Sequence, residues 1–151
     1  MNDSVCDPVL TCADSFSFED GFFAGNEEKE WKIMNQVGNA IGDALLRDMR
    51  ELRSIPPRPR FLALVGKGHN GGDALLGLRR LLKTIPTARA VVWPLREWKS
   101  GRPNLIRARA ELMESANQRV QEISPISEMN HSENIRTVSY THLTLPTMDS
   151  V

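Results

Sequence analysis

Glycines and chemically active side chains share one short segment of the chain, Gly66 to Asp73. His69, Asn70 and Asp73 place an imidazole, an amide and a carboxylate within five positions. An amide oxygen suits a hard cation, and a carboxylate accepts a hydrogen bond from a ribose hydroxyl or a backbone N–H. Because glycine has no Cβ, the backbone can turn tightly and a phosphate group can approach it closely. The segment therefore predicts a binding site for a phosphate-bearing ligand.

The elements on either side of this segment are those that a phosphate site requires. Phe61 to Val65 is an apolar run typical of a strand, and the ALLGLRRLL segment after Asp73 has a helical pattern. A helix that starts at a glycine loop presents free N–H groups and the positive end of its dipole, which favour an anion. Gly66 to Gly71 also satisfies the dinucleotide-binding pattern G-x-G-x-x-G in the required place, after a strand and before a helix.

Two common nucleotide-binding loops fit less well. A Walker A loop needs Lys and then Ser or Thr after its last glycine, whereas Gly72 and Asp73 follow Gly71 here. A Rossmann loop expects an acidic residue about 20 residues further on, at the end of the second strand. After the predicted second strand, Glu97 comes late for a ribose contact, and Arg96 could at best meet a 2′-phosphate.

The polar residues of the loop also have a simpler explanation. Asp73 could cap the following helix, and Asn70 could adopt a left-handed turn conformation. For an isolated Asn or Asp we would favour these local roles. With four glycines around them, ligand binding is the better hypothesis.

The glycine loop resembles that of a known family. Gly66 to Asp73, GKGHNGGD, closely resembles the G-x-G-N-N-G-G-D loop of the NAD(P)H-hydrate epimerases, the YjeF N-terminal domain. Upstream, Ile33 to Ile41 resembles the family's first helix, which usually reads M-E-x-A-G-x-A. The sequence departs from these motifs at His69, which replaces the first Asn, and at Val37, which replaces an Ala.

The resemblance implies a fold, a ligand and an ion. It implies a three-layer α/β/α Rossmann-like parallel sheet, of which this chain carries the N-terminal half. The residues that would bind the cofactor are His69, Asn70, Gly71, Gly72 and Asp73, and Asn70 would also ligate one K⁺ ion. The implied reaction interconverts the R and S epimers of NADHX and NADPHX, so that a fused or separate dehydratase can restore the nicotinamide cofactor. The catalytic residues stay unknown.

The later part of the sequence differs from this family. The D-x-P-S-G segment, which carries the family's proposed acid/base carboxylate, does not occur. Val138 to Val151 instead resembles a translated sequencing adaptor. We therefore expect a truncated and inactive copy, with a loose lead-in at 1–26, a partial epimerase domain at 27–120 and a tail at 121–151, artefactual from about 138.

The sequence is also compatible with other functions. The same loop could serve a non-catalytic nucleotide-binding or interaction module, or part of a Rossmann oxidoreductase. Composition excludes some partners: 19 basic and 19 acidic residues argue against nucleic acid, and no apolar run is long enough to span a membrane. The absence of a secretory signal and the two cysteines, Cys6 and Cys12, favour a cytoplasmic protein with reduced thiols. A homodimer is compatible with the sequence.

Apolar periodicity and chain-breaking residues predict the elements that carry the loop. Helix Glu27–Leu52 has Ile33, Val37, Ile41, Leu45 and Met49 along one face. The other predicted elements are a strand at Arg60–Val65, a helix at Gly72–Lys83, a strand at Ala88–Trp93, a loop at Trp98–Gly101 and a helix at Leu105–Val120. Alternating strands and helices predict a parallel sheet.

Overall fold

The computed structural model describes residues 11–52 and 55–125 of the chain. In order, the elements are α1 (Cys12–Phe23), α2 (Glu27–Leu52), β1 (Arg60–Val65), α3 (His69–Thr84), β2 (Arg89–Pro94), α4 (Pro103–Ala116) and β3 (Val120–Glu122). Short 3₁₀ turns at Trp98–Ser100 and Asn117–Arg119 flank α4. The predicted tail from residue 126 onward, including Val138 to Val151, lies outside the described residues.

The strands form one parallel sheet in the order β1-β2-β3. Strands β1 and β2 pair along their whole length, from Arg60 opposite Arg89 to Val65 opposite Pro94. Because parallel neighbours point the same way, the carboxyl ends of β1 and β2 meet at one edge of the sheet. The α/β Rossmann-like class is therefore confirmed, and the glycine loop leaves the sheet at the edge where such folds bind ligands.

The two faces of this sheet have different environments. Phe61, Ala63 and Val65 of β1 pack on the hydrophobic core beneath α3 and α4, together with buried Ala90 and Val92 of β2. On the other face, Leu62 and Leu64 are 41% and 57% exposed. Thus the described helices cover one face, and the described part of the chain supplies one of the two helical layers of a three-layer arrangement.

Helix α2 packs on α3 through a stripe of glycines. A Cβ placed on Gly38 would lie 2.4 Å from the Cβ of Leu76, and one on Gly42 would lie 2.6 Å from the Cβ of Arg80. On α3, Gly77 faces this stripe, since its own Cβ would come within 3.3 Å of the Gly38 carbonyl oxygen. The two helix backbones can approach this closely only because side chains are missing at the contact.

This contact changes the face that α2 buries. The predicted apolar stripe includes Val37 and Ile41, which are 40% and 38% exposed in the structure. The buried side chains are instead Trp31, Met34 and Leu46, on either side of the glycine contact. The four-residue spacing was correct, but the predicted face was wrong because glycines do not register as apolar residues in the pattern.

The predicted boundaries agree with the structure except around α1, α3 and α4. Helix α2 and strand β1 have the predicted bounds, and β2 begins and ends one residue later than predicted. Helix α3 begins at His69 rather than Gly72, so the glycine-rich segment is partly helical. Helix α4 spans Pro103–Ala116 rather than Leu105–Val120, because the chain then passes through the 3₁₀ turn Asn117–Arg119 into the short strand β3, which the sequence did not predict.

Helix α1 lies within the predicted lead-in. Thr11 and Asp14 form a reciprocal capping box at its start, and Ala24 ends it in a left-handed conformation with φ 47°. None of its residues is buried, and Phe16 and Phe18 are about two-thirds exposed. No helix in the described ranges is long and apolar enough to cross a membrane.

Candidate functional site

The glycine loop joins the end of β1 to an uncapped helix start. Gly68 is the N-cap of α3, in an extended conformation with φ −100° and ψ −166°, and no side chain caps the helix there. The N–H of Gly71 donates to the Gly68 carbonyl over 3.1 Å. The preceding N–H groups of His69 and Asn70 have no earlier carbonyl within the helix to bond. These donors and the positive end of the helix dipole favour an anion.

The loop glycines have different structural roles. A Cβ on Gly71 would lie 2.2 Å from the Gly66 carbonyl oxygen, so the fold requires glycine at that position. A Cβ on Gly66 or Gly68 would meet no atom within 4 Å. Among the described glycines, Gly25 is the one with a positive φ, so neither Gly66 nor Gly68 adopts the left-handed conformation. Packing and backbone conformation therefore do not require glycine at Gly66 or Gly68, and the space beside them is open to a ligand.

The structure rejects the two local explanations for the polar residues. Asp73 does not cap the helix, because α3 starts at His69 and Asp73 lies in its second turn. Among the described non-glycine residues, Ala24 is the one with a positive φ, so Asn70 does not adopt the left-handed conformation. Both side chains belong to the first two turns of α3, with Asn70 exposed and Asp73 half-buried.

The carboxylate of Asp73 lies in an environment that disfavours its charge. Burial raises its pKa above the ordinary range, and His69 and Glu19 have smaller effects that lower and raise it, respectively. Glu19 belongs to α1, so this helix contributes to the electrostatics of the loop. The ring of Phe23, also on α1, makes an edge contact with the His69 imidazole at 6.4 Å between centroids.

His69 connects three elements at the start of α3. Its Nε2 lies 2.8 Å from Oε1 of Glu30 on α2 and 2.8 Å from Nη1 of Arg102, which directly precedes α4. Neither partner was predicted from the sequence. Arg102 could have been found, because the loop after β2 must lie at the same sheet edge as the loop after β1.

The loop after β2 lies directly against the glycine loop. The N–H of Leu95 donates to the Val65 carbonyl over 2.9 Å, and the N–H of Arg102 approaches the Lys67 carbonyl at 3.4 Å. Arg96, Glu97 and Trp98 share a small cleft with Gly66 and Lys67. A wider and shallower groove runs along the outer side of α2, but none of the residues that line it belongs to the glycine loop. We therefore place the candidate site at the loop.

The described residues do not complete a potassium site by themselves. Asn70 is exposed and offers an amide oxygen, which is a suitable ligand for a hard cation. Hard cations of this kind take several oxygen ligands at once. The described ranges contain no cluster of three or more His, Cys, Asp and Glu residues that could hold a metal ion. A K⁺ ion bound by Asn70 would need further oxygen ligands, and the K⁺ assignment stays a prediction.

Comparison with known proteins identifies one family. Residues 30–143 match the model of the family described as YjeF-related protein N-terminus. The matched interval contains α2 from Glu30 onward, the glycine loop and all strands of the described sheet. No curated protein matches the chain significantly.

Proposed function

Because the chain belongs to the YjeF-related protein N-terminus family, the domain of NAD(P)H-hydrate epimerases, we propose that it binds hydrated nicotinamide cofactors for epimerisation. The reaction is the interconversion of the R and S epimers of NADHX and NADPHX. The proposed partner is a fused or separate NAD(P)H-hydrate dehydratase, which restores the cofactor.

The observation that carries this proposal is the open space beside Gly66 and Gly68. The fold does not require glycine at these positions, and they face an uncapped helix start. A diphosphate that lies along this backbone would accept hydrogen bonds from the free N–H groups of α3 and would gain from the helix dipole. Glycine at both positions lets the phosphate oxygens reach the backbone without a steric clash.

The polar residues of α3 have distinct roles in this proposal. The Asn70 amide is exposed at the first turn, where it can contact the ligand and contribute one oxygen to a K⁺ ion. Such an ion would supply a fixed positive charge beside the ligand. Asp73, whose carboxylate is half-buried near the loop, can accept a hydrogen bond from a ribose hydroxyl. Gly71 and Gly72 keep the helix start close to the loop and to α2.

The test is whether the loop recognises the hydrated cofactor. We expect NADPHX to bind the chain in potassium buffer more tightly than NADPH does, as measured by isothermal titration calorimetry. Asn70→Ala should weaken NADPHX binding at least about ten-fold, since it removes a polar contact in the site. Gln36→Ala, which alters an exposed amide on α2, is the matched control and should bind as the wild type does.

Two results would contradict the proposal. Equal affinity of Asn70→Ala and wild type for NADPHX would overturn the assignment of the loop. Tighter binding of NADPH than of NADPHX would favour an oxidoreductase instead. Because the sequence has no D-x-P-S-G segment, we expect this chain to bind NADPHX without accelerating R-to-S conversion, which chiral chromatography of the epimers would check.

A further inference from the structure

Arg102 is a cationic side chain at the candidate site that the family motifs do not assign. It is the last residue before α4, and its backbone N–H approaches the Lys67 carbonyl at 3.4 Å. Its guanidinium reaches back to the first residue of α3, with Nη1 at 2.8 Å from His69 Nε2. The side chain therefore extends from the loop after β2 to the start of the helix after β1.

The contact between Arg102 and His69 competes with a second contact of the same atom. Nε2 of His69 lies 2.8 Å from Glu30 Oε1 as well as 2.8 Å from Arg102 Nη1. An imidazole nitrogen either carries a hydrogen and donates or has a lone pair and accepts, so it cannot serve both partners at once. One of the two contacts is therefore replaceable without loss of a hydrogen bond at His69.

Arg102 differs from other arginines of the fold in its partner. Arg109 donates twice to Glu122 at 2.6 Å, and Arg80 donates to Asp43 at 2.7 Å. Among residues 11–52 and 55–125, no carboxylate oxygen lies within ion-pair distance of Arg102. Its positive charge is exposed and is held by an imidazole, which is a weak partner for a guanidinium with five N–H donors.

We propose that the Arg102 guanidinium binds a phosphate group of the ligand at the loop site. To do so, it gives up its contact with His69. Glu30 then keeps the imidazole in place through the remaining contact. The ligand class is a nucleoside diphosphate, because the guanidinium would act beside the glycine loop and bind phosphate oxygens through two parallel hydrogen bonds. This inference rests on the proposed nucleotide function and names a further binding residue for it.

The charges of Arg102 and Glu30 predict opposite effects on diphosphate binding. Arg102 would attract a diphosphate and bond it, whereas the carboxylate of Glu30, on the other side of His69, would repel it. A purely structural cluster would behave differently. If Arg102 and Glu30 only braced α2, α3 and α4 against one another, loss of either would loosen the site and weaken binding in both cases.

The experiment compares ADP, inorganic diphosphate and adenosine as probes of the full chain by isothermal titration calorimetry. Arg102→Ala should weaken ADP and diphosphate binding about ten-fold, and Arg102→Lys, which keeps the charge and loses the bidentate geometry, about three-fold. Glu30→Gln should strengthen both about two-fold, since it removes a nearby negative charge. Adenosine, which has no phosphate, should bind all variants equally.

This experiment has a control variant, and several results would contradict the proposed role of Arg102. Arg89→Ala removes an exposed arginine at the other end of the sheet and should change no affinity. Thermal unfolding of each variant identifies any loss of folding, and the Arg102→Lys variant keeps the test informative if Arg102→Ala unfolds. If Arg102→Ala binds ADP as tightly as Arg89→Ala does, the proposed role of Arg102 is overturned, but the nucleotide function is not. The same conclusion follows if Arg102→Ala and Glu30→Gln both weaken ADP binding. Failure of the wild type to bind ADP or diphosphate would overturn the nucleotide function as well.

Discussion

The glycines in the α2–α3 contact and those in the loop after β1 are chemically identical but meet different surroundings. Gly38 and Gly42 are crowded, with Leu76 and Arg80 less than 3 Å from where a Cβ would lie. Gly66 and Gly68 have open space in the same direction. The crowded glycines are therefore required for folding, whereas the open glycines leave room for a ligand. Neighbouring atoms thus distinguish a structural glycine from a binding glycine, which the sequence motif alone does not.

Gly71 lies at the boundary between these two regions, and its replacement should have the largest effect on stability. In Gly71→Ala the new Cβ would overlap the Gly66 carbonyl oxygen, 2.2 Å away. Because that neighbour is backbone, the loop itself must move, and we expect a loss of about 3 kcal/mol in the free energy of unfolding. Urea denaturation followed by far-UV circular dichroism measures this change. Gly21→Ala, with no atom within 4 Å of the added Cβ, is the control and should not destabilise the chain. An unchanged unfolding midpoint in Gly71→Ala would show that this glycine is not crowded.

Gly68→Asp should separate binding from folding at a single position. The backbone of Gly68 already has the extended N-cap conformation, so an aspartate there can cap α3 and complement its dipole. We expect the free energy of unfolding to rise by about 0.5 kcal/mol. The same carboxylate would occupy the open space and repel a phosphate, so ADP affinity should fall at least about ten-fold.

The comparison for this position is Gly68→Asn, which has a similar shape and no charge. It should stabilise the chain to a similar extent and weaken ADP binding less than the aspartate does. If Gly68→Asp binds ADP as tightly as the wild type, the open space beside the loop is not the phosphate site.

Asp73 lies next to both the α2–α3 contact and the glycine loop, and its replacement should have the smallest effect on the free energy of unfolding. Its backbone oxygen would lie 3.2 Å from a Cβ on Gly38, while burial raises the pKa of its carboxylate. A carboxyl group with a raised pKa binds its proton more tightly in the folded state. The free energy of unfolding therefore falls as the pH rises from the ordinary Asp pKa through the raised value. Asp73→Asn removes the buried charge that causes this loss, and the variant should be about a few tenths of a kcal/mol more stable than the wild type at pH 7.

The measurement for Asp73 is the pH dependence of urea unfolding. At a pH below the ordinary Asp pKa, both proteins carry a neutral group at this position, so the difference between them should disappear. A variant that is less stable than the wild type at pH 7 would show that the Asp73 carboxylate is stabilised rather than penalised by its surroundings.

Local patterns in the sequence were sufficient to predict the elements next to the loop. Strand β1 is a continuous apolar run in front of the glycine loop, and α2 has a regular four-residue repeat, so both were predicted with the correct bounds. Strand β3 was missed because Val120–Glu122 is too short to show a period. It exists because β2 offers a parallel partner from Ala90 to Val92, which is a tertiary effect.

The site was predictable to the extent that it is contiguous in the sequence. The loop motif identified His69 to Asp73, and the structure gathers these residues at one helix start. Glu30 and Arg102 were not predicted, because their contacts with His69 depend on how α2 and the loop after β2 pack around α3. The start of α3 was also misjudged, because glycine favours loops locally, whereas packing against α2 and the loop holds Gly71 and Gly72 in a helix.

Strand β1 has one hydrogen-bonded neighbour, β2, within the described sheet, and this has a practical consequence for anyone who handles the protein. Among residues 11–52 and 55–125, no strand pairs with its outer edge, where N–H and C=O groups lie near the exposed side chains of Leu62 and Leu64. Such an edge is a template for another extended segment, whether from a neighbouring molecule or an added peptide. The dispersity of a sample should therefore depend on its concentration. A lysine on the exposed face, as in Leu64→Lys, is the substitution that should keep concentrated solutions clear.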